Sequence, residues 1–163
     1  HALMSWRHFW QAETERRGVR GPEVIERYPY LAGGRPADLP GFAEVERLAR
    51  DAVIVSTADH FHHGIGYGDP PGQALTPEGG GLAAARHSIE EGIALLASGD
   101  YWGYNQQCVR ARSDARDAGQ FFRCLRGPMQ GAIVDLSYSD ASALYQQPPP
   151  TWVAAALLAW APV

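Results

Sequence analysis

The sequence predicts an α/β domain in which helices pack on both faces of a central sheet, that is, a three-layer α/β sandwich with mostly parallel or mixed strands. Its length of 163 residues suits one domain. Apolar residues make up 45% and charged residues 20%, which is typical of globular proteins and not of disordered ones. Predicted strands alternate with predicted helices along the chain. We therefore expect residues 1–163 to form a single α/β domain.

The first third of the chain predicts a helix, a strand and a second helix. Aromatic and charged residues over 1–20 are spaced as in an amphipathic helix that ends near Gly18 or Gly21. The apolar and aromatic run Val24–Leu31 predicts a short strand, because glycines and a proline follow it. The apolar stripe of Phe42–Ala49 predicts a short helix.

The central part of the chain predicts a buried strand followed by a polar segment. Ala52–Thr57 is β-branched and continuously apolar at its centre, which is typical of a strand buried on both faces of a parallel sheet. A histidine-rich segment follows at once and leads into a Gly/Pro-rich loop that ends near Gly81. Because this loop is longer than a connection requires, it is either a mobile lid or a plain connection.

The second half of the chain predicts three helices and two strands. Apolar spacing predicts helices over Leu82–Leu96, Tyr101–Arg112 and Asp114–Arg126. Ala132–Leu136 predicts another central strand, and Trp152–Trp160 predicts a last one. The Ala-rich interior of the last segment suits a helix equally well.

Charge and composition exclude several function classes. The net charge of −4 provides no basic stripe, so we expect neither nucleic acid nor an anionic membrane as a partner. The chain has two cysteines, Cys108 and Cys124, a number compatible with a reducing cytoplasm. We expect both in the core, and a disulfide between them is the alternative. The chain has no lysine, which excludes Schiff-base chemistry on a lysine. Because Met4 is preceded by three residues, it is either the native start or an internal residue of a longer protein.

A histidine cluster is the strongest chemical signal. His60, His62 and His63 directly follow the predicted strand, and ligands of open α/β sheets bind at the carboxyl ends of strands. Imidazole transfers protons near neutral pH and binds transition metals. Asp59 could hold one imidazole in a fixed tautomer. The alternative interpretation is a polar turn with surface histidines.

Asp140 is a candidate metal-binding carboxylate. It lies in the polar segment Ser137–Ser142 that follows a predicted strand, so we expect it to share a sheet edge with the histidines. An ordinary Ser/Asp turn is an equally good interpretation of the same residues.

Several segments resemble Memo-like proteins, which are relatives of the class III extradiol dioxygenases. Val53–Gly64 resembles the strand and Ser-Ser-Asp-x-x-His-x-Gly motif of that family. Tyr28–Gly33 resembles its Pro-Val-Leu-Val-Gly strand, Ala85–Ile89 falls where the family has a helix, and Asp135–Ser142 resembles its late strand and polar turn. His1–Leu3 resembles a remnant of its Glu-His-Ser-x-Glu segment.

The resemblance implies a non-haem oxygenase. Its extradiol members bind Fe(II) through two histidines and a carboxylate, and a further histidine acts as acid and base while O2 cleaves a catechol ring. By position, His62 would be that acid/base residue and Asp59 its companion. His60 and His63 are further catalytic candidates because they belong to the same histidine cluster. The family's two histidine ligands belong to an N-terminal half that this chain lacks, and Asp140 is the nearest substitute for the third ligand. The resemblance therefore implies a C-terminal portion. Either a second polypeptide or cleaved fragment completes it, or the ancestral metal site has been lost.

Three functional hypotheses follow. The first is a cytoplasmic, Fe(II)-dependent oxygenase that acts on a small aromatic, catechol-like substrate and O2. The second is a non-catalytic binding or accessory subunit that kept the fold and lost the metal. The third is a zinc-dependent hydrolase that uses His60, His62 and Asp140 as ligands.

Overall fold

The computed structural model describes residues 2–30 and 32–163. His1 and Leu31 lie outside the described residues, and so do the expectations that rest on them. The described residues form six α-helices and three strands in the order α1 Ala2–Arg17, α2 Phe42–Ala49, β1 Phe61–Gly64, α3 Leu82–Ser98, α4 Tyr101–Ala111, α5 Arg116–Arg126, β2 Met129–Asp140, α6 Ser142–Tyr145 and β3 Thr151–Pro162. Short helical turns occupy Pro36–Asp38, Ile65–Tyr67 and Pro77–Gly81. The molecule mixes helices with a sheet, as the sequence predicts.

The three strands form one antiparallel sheet in the order β1-β3-β2. A parallel or mixed pairing was expected, but every pairing among the described strands is antiparallel. The connection from β2 to β3 explains the difference. It runs only from Ala141 to Pro150, whereas a parallel crossover takes about a dozen residues or more. The strand predicted at Ala132–Leu136 therefore lies at an edge of the sheet, and β3 lies at its centre.

The prediction of a buried strand at Ala52–Thr57 is wrong. This segment has no regular secondary structure, and Val53 is 92% exposed. The carbonyl of Asp59 instead accepts hydrogen bonds from Asp114 N and Ser113 Oγ, both at 2.9 Å. These bonds hold the end of the segment against the turn between α4 and α5. The described part of the predicted Val24–Leu31 strand is likewise irregular.

Helices cover one face of the sheet, whereas the other face is open beside the second half of β3, where Ala155, Leu157 and Ala159 are exposed. On the covered face, Trp152 (1% exposed) and Ala154 pack against Ala85 of α3. On the opposite face, Leu157 is 61% exposed. The described residues therefore form two layers where three were expected. Among these residues, no helix combines the length and the hydropathy that crossing a membrane requires.

The predicted helices of the second half are confirmed, because their ends carry clear signals. Asp100 caps α4, and its carboxylate accepts a hydrogen bond from Gly103 N at 2.8 Å. Gly99, in the left-handed conformation, ends α3. The strand at Trp152–Trp160 is confirmed over its helical alternative. Cys108 is buried, Cys124 is partly buried, and neither forms a disulfide.

Candidate functional site

His62 is the anchor of the candidate site. It lies in β1, is only 9% exposed, and its Nδ1 lies 2.5 Å from the carbonyl oxygen of Arg112. Because a carbonyl only accepts, Nδ1 carries a proton, and in the neutral imidazole Nε2 keeps its lone pair. A backbone carbonyl on the far nitrogen is the arrangement that orients metal-binding histidines.

Two carboxylates approach the free nitrogen of His62. Asp59 Oδ2 lies 3.6 Å from Nε2, and Asp114 completes a group in which one ligand atom from each residue lies within 4.8 Å of the others. The hydrogen bond from Asp114 N to Asp59 O joins the two segments that carry the carboxylates. Arg112, in the left-handed conformation at the end of α4, turns the chain toward this contact. The fold thus brings together one imidazole nitrogen and two carboxylate oxygens.

The charges in this group favour a cation. The Asp59 carboxylate beside Nε2 raises the pKa of His62 above its usual value, although burial opposes the shift. The same contact with His62 is the main reason that the pKa of Asp59 is lowered. Two carboxylates and one imidazole suit a divalent ion of intermediate hardness, such as Fe(II), Mn(II) or Zn(II). The three side chains therefore fit a metal ion. They supply two carboxylates and one histidine, whereas the resemblance implies two histidines and one carboxylate.

Aromatic side chains stand beside the group. The ring of Tyr67 lies 4.8 Å from that of His62, and Tyr145 makes an edge contact with Tyr67 at 6.4 Å. Burial, together with Tyr145 and the two carboxylates, raises the pKa of Tyr67 to about 12. The phenol therefore stays protonated at neutral pH and can donate a hydrogen bond. Asp59, Asp114 and Tyr145 are exposed, so the group is open to solvent.

His63 was a catalytic candidate, but the structure places it elsewhere. Alternation along β1 directs it to the opposite face of the sheet from His62. Its Nδ1 donates to Asp69 Oδ2 at 2.9 Å, and its Nε2 accepts from Leu75 N at 2.9 Å. Both nitrogens are therefore engaged in holding the loop that follows β1. This loop is fastened to the domain, which favours a connection over a mobile lid.

His60 also lies apart from the group of Asp59, His62 and Asp114. It lines a small cavity of about 10 Å³ between the helices and β3, together with Ile89, Leu96, Leu158 and Trp160. Burial lowers the pKa of His60, which favours the neutral imidazole. Its surroundings are those of a core residue.

Asp140 does not join His62. The register pairs Asp140 with Trp152 and Trp152 with His63, so Asp140 shares a face with His63 at a distance of about two strand spacings, ~10 Å. Its Oδ1 accepts from Ser142 N at 2.8 Å, as in the ordinary turn that was the alternative interpretation. The zinc site proposed from His60, His62 and Asp140 is not assembled. The carboxylate that the fold brings to His62 is Asp114, which no local sequence signal marked.

Comparison of the chain with protein-family models, curated protein sequences and solved structures finds no match. The resemblance to Memo-like proteins therefore depends on the segments quoted above, and chiefly on the Asp-x-x-His motif formed by Asp59 and His62.

Proposed function

We propose that Asp59, His62 and Asp114 bind one divalent metal ion, and that the protein is a metal-dependent oxygenase. The observation that carries the proposal is the convergence of three ligand atoms within 4.8 Å around a histidine whose tautomer is fixed by a backbone carbonyl. The motif resemblance favours Fe(II) as the ion, and O2 and a small catechol-like compound as substrates.

The proposal changes the role expected of His62. A histidine that binds metal through Nε2 and donates from Nδ1 to a carbonyl has no nitrogen left for acid/base work. His62 would therefore hold the metal together with the two carboxylates, whose charges would balance a divalent cation. Bound Fe(II) would supply the redox chemistry that couples O2 to an aromatic substrate.

Tyr67 would then orient the substrate. Its phenol stays protonated because its pKa is raised to about 12, and its ring lies 4.8 Å from that of His62. A protonated phenol can donate a hydrogen bond to an anionic substrate oxygen. The exposed ring of Tyr145 adds an apolar surface on which an aromatic substrate could rest.

The same proposal includes a second polypeptide or fragment that completes the domain. The open face around Leu157 lacks the helices of a three-layer sandwich. Among the described residues, no strand pairs with the outer edge of β2, so this edge is free to accept strands of a partner. A cytoplasmic location is part of the proposal and is supported by the unpaired thiols Cys108 and Cys124.

Metal titration tests the site. Anaerobic calorimetry with Fe(II), or with Mn(II) as a stable substitute, is expected to give one ion per chain. Asp114→Asn is expected to weaken binding by about tenfold or more, since it removes a charged ligand. Asp140→Asn is the matched control and is expected to bind as the unaltered protein does. Equal affinity of the Asp114 and Asp140 variants would overturn the metal site.

Oxygen consumption tests the reaction. The Fe(II)-loaded protein is expected to consume O2 with catechol and to form a ring-opened product. Metal binding without O2 consumption would exclude the oxygenase and favour a second candidate, a non-catalytic binding subunit. The observation that favours this second candidate is the uncovered sheet face, since exposed apolar surface marks interaction sites.

A further inference from the structure

One edge of β3 is only partly paired. β1 covers β3 from Thr151 to Ala154 and then ends, whereas β3 continues to Pro162. Among the described residues, no strand pairs with Ala155–Pro162 on this side of β3. The backbone groups along this edge are therefore free to accept another strand.

The existing register shows which segment fits the free edge. β1 is antiparallel to β3, with Phe61 opposite Ala154 and His62 opposite Val153. If β1 continued toward lower residue numbers in the same register, Thr57 would lie opposite Leu158 and Val55 opposite Trp160. The β-branched segment Val53–Thr57 is thus connected to the one strand whose extension would cover this edge.

The two faces of such a strand also fit. Phe61 and Ala154 face the helices, so alternation would direct Val53 and Val55 to the same covered face. Val53 is now 92% exposed and Val55 is exposed as well. Ile54 and Ser56 would face the open side of the sheet, and Thr57 would face the covered side. Pairing would therefore move the side chains of Val53 and Val55 out of water.

We propose that Val53–Thr57 docks on the Ala155–Pro162 edge as a continuation of β1, and that the arrangement described above is the undocked state. Two features hold the undocked state. Asp59 O accepts hydrogen bonds from Asp114 N and Ser113 Oγ, and His60 lines a small cavity together with Leu158 and Trp160. Docking exchanges these contacts for strand pairing.

Docking also bears on the proposed metal site. Asp59 lies between the docking segment and β1, and its carbonyl bond to Asp114 must break when the strand extends. The pair of carboxylates would separate from each other, so that strand docking and metal binding oppose one another. This second statement rests on the proposed function, whereas docking itself does not.

Disulfide trapping tests docking in the metal-free protein. The pair Ser56→Cys and Ala159→Cys, made with Cys108→Ala and Cys124→Ala, would be directly opposite in the docked register. The control pair Ser56→Cys and Ala155→Cys would be about 13 Å apart, too far for a disulfide. Under mild oxidation, the first pair is expected to form an intramolecular disulfide at least about tenfold faster than the control. Circular dichroism verifies that both variants fold.

Two outcomes would overturn docking. One is an equal rate for both pairs, and the other is a disulfide that links two chains, which would show a second copy on the edge. Hydrogen exchange gives an independent test. Ile65 N donates to Pro150 O, so the odd-numbered residues of an extended β1 would bond to β3. The amides of Val55 and Thr57 are expected to be protected, and Val55→Pro is expected to remove the protection at Thr57. Added Mn(II) is expected to slow trapping. An unchanged rate with Mn(II) bound would overturn the opposition between docking and metal but leave docking itself intact.

Discussion

Asp69 accepts a hydrogen bond from Nδ1 of His63 at 2.9 Å, across the base of the loop that follows β1. The same carboxylate accepts from Gly64 N at 2.7 Å and from the Arg112 guanidinium at 2.8 Å. Although burial opposes ionisation, these hydrogen bonds lower the pKa of Asp69. Asp69 thus joins β1, its loop and the end of α4, and Arg112 in turn orients His62.

Loss of the Asp69 carboxylate is expected to destabilise the fold. Asp69→Ala leaves Arg112, His63 and an amide without their acceptor, and we expect a loss of about 2–3 kcal/mol in the free energy of unfolding. Asp38→Ala removes an exposed carboxylate and is expected to change it by less than about 0.5 kcal/mol. Urea denaturation measures both. Similar values for the two variants would show that Asp69 does not fasten the loop.

The pKa of His62 is expected to lie above its usual value because of Asp59. A raised folded-state pKa stabilises the fold at pH values below about 6.5, and this contribution is lost as pH rises through the folded pKa. NMR titration of the imidazole is expected to show the raised pKa, and Asp59→Asn is expected to lower it. Asp51→Asn, which alters an exposed carboxylate, is the control. A His62 pKa that is insensitive to Asp59→Asn would contradict the pairing.

Gly64 is expected to tolerate no side chain. Its φ is +113°, and an added Cβ would come 2.0 Å from the carbonyl oxygen of Pro150. Gly64→Ala is therefore expected to cost more than about 3 kcal/mol, from backbone strain and from the clash with rigid backbone. An added Cβ at Gly72 meets no atom within 4 Å. Thermal denaturation is expected to separate Gly64→Ala clearly from Gly72→Ala, and equal midpoints would refute this account of the turn.

Trp152 is expected to be the most costly core side chain to truncate. It is fully buried, and its Nε1 donates to the carbonyl of Leu75 at 2.9 Å. Trp152→Ala is expected to lose about 3–5 kcal/mol of stability. Trp102 is 66% exposed, so Trp102→Ala is expected to lose less than about 1 kcal/mol. The free energy of unfolding from chemical denaturation tests the difference.

The helices were predictable because their signals are local. Apolar spacing marked Leu82–Leu96, and a glycine ended the helix close to that boundary. Strand pairing is not local. The continuous apolar run Ala52–Thr57 indicates that the segment could be buried in a sheet, but it does not indicate which strand would pair with it. The direction of the sheet depended on the length of the connection between β2 and β3.

The candidate site was predictable in part for the same reason. Asp59 and His62 belong to one short motif, so the sequence brought them together. His60 and His63 belong to that motif too, but the strand directs His63 to the other face and the chain turns His60 into the core. Asp114 comes from a turn between two helices, and only the fold places it beside His62.

Trp152 has a further consequence for how this sequence can vary. The space around its ring exists because its neighbours are small: an added Cβ on Gly81 would come 2.5 Å from Trp152 Cζ2, and Ala85 is fully buried against the ring. The volume of this part of the core is shared by three positions. In related sequences these positions should covary, with a smaller residue at 152 accompanied by a larger one at 81 or 85.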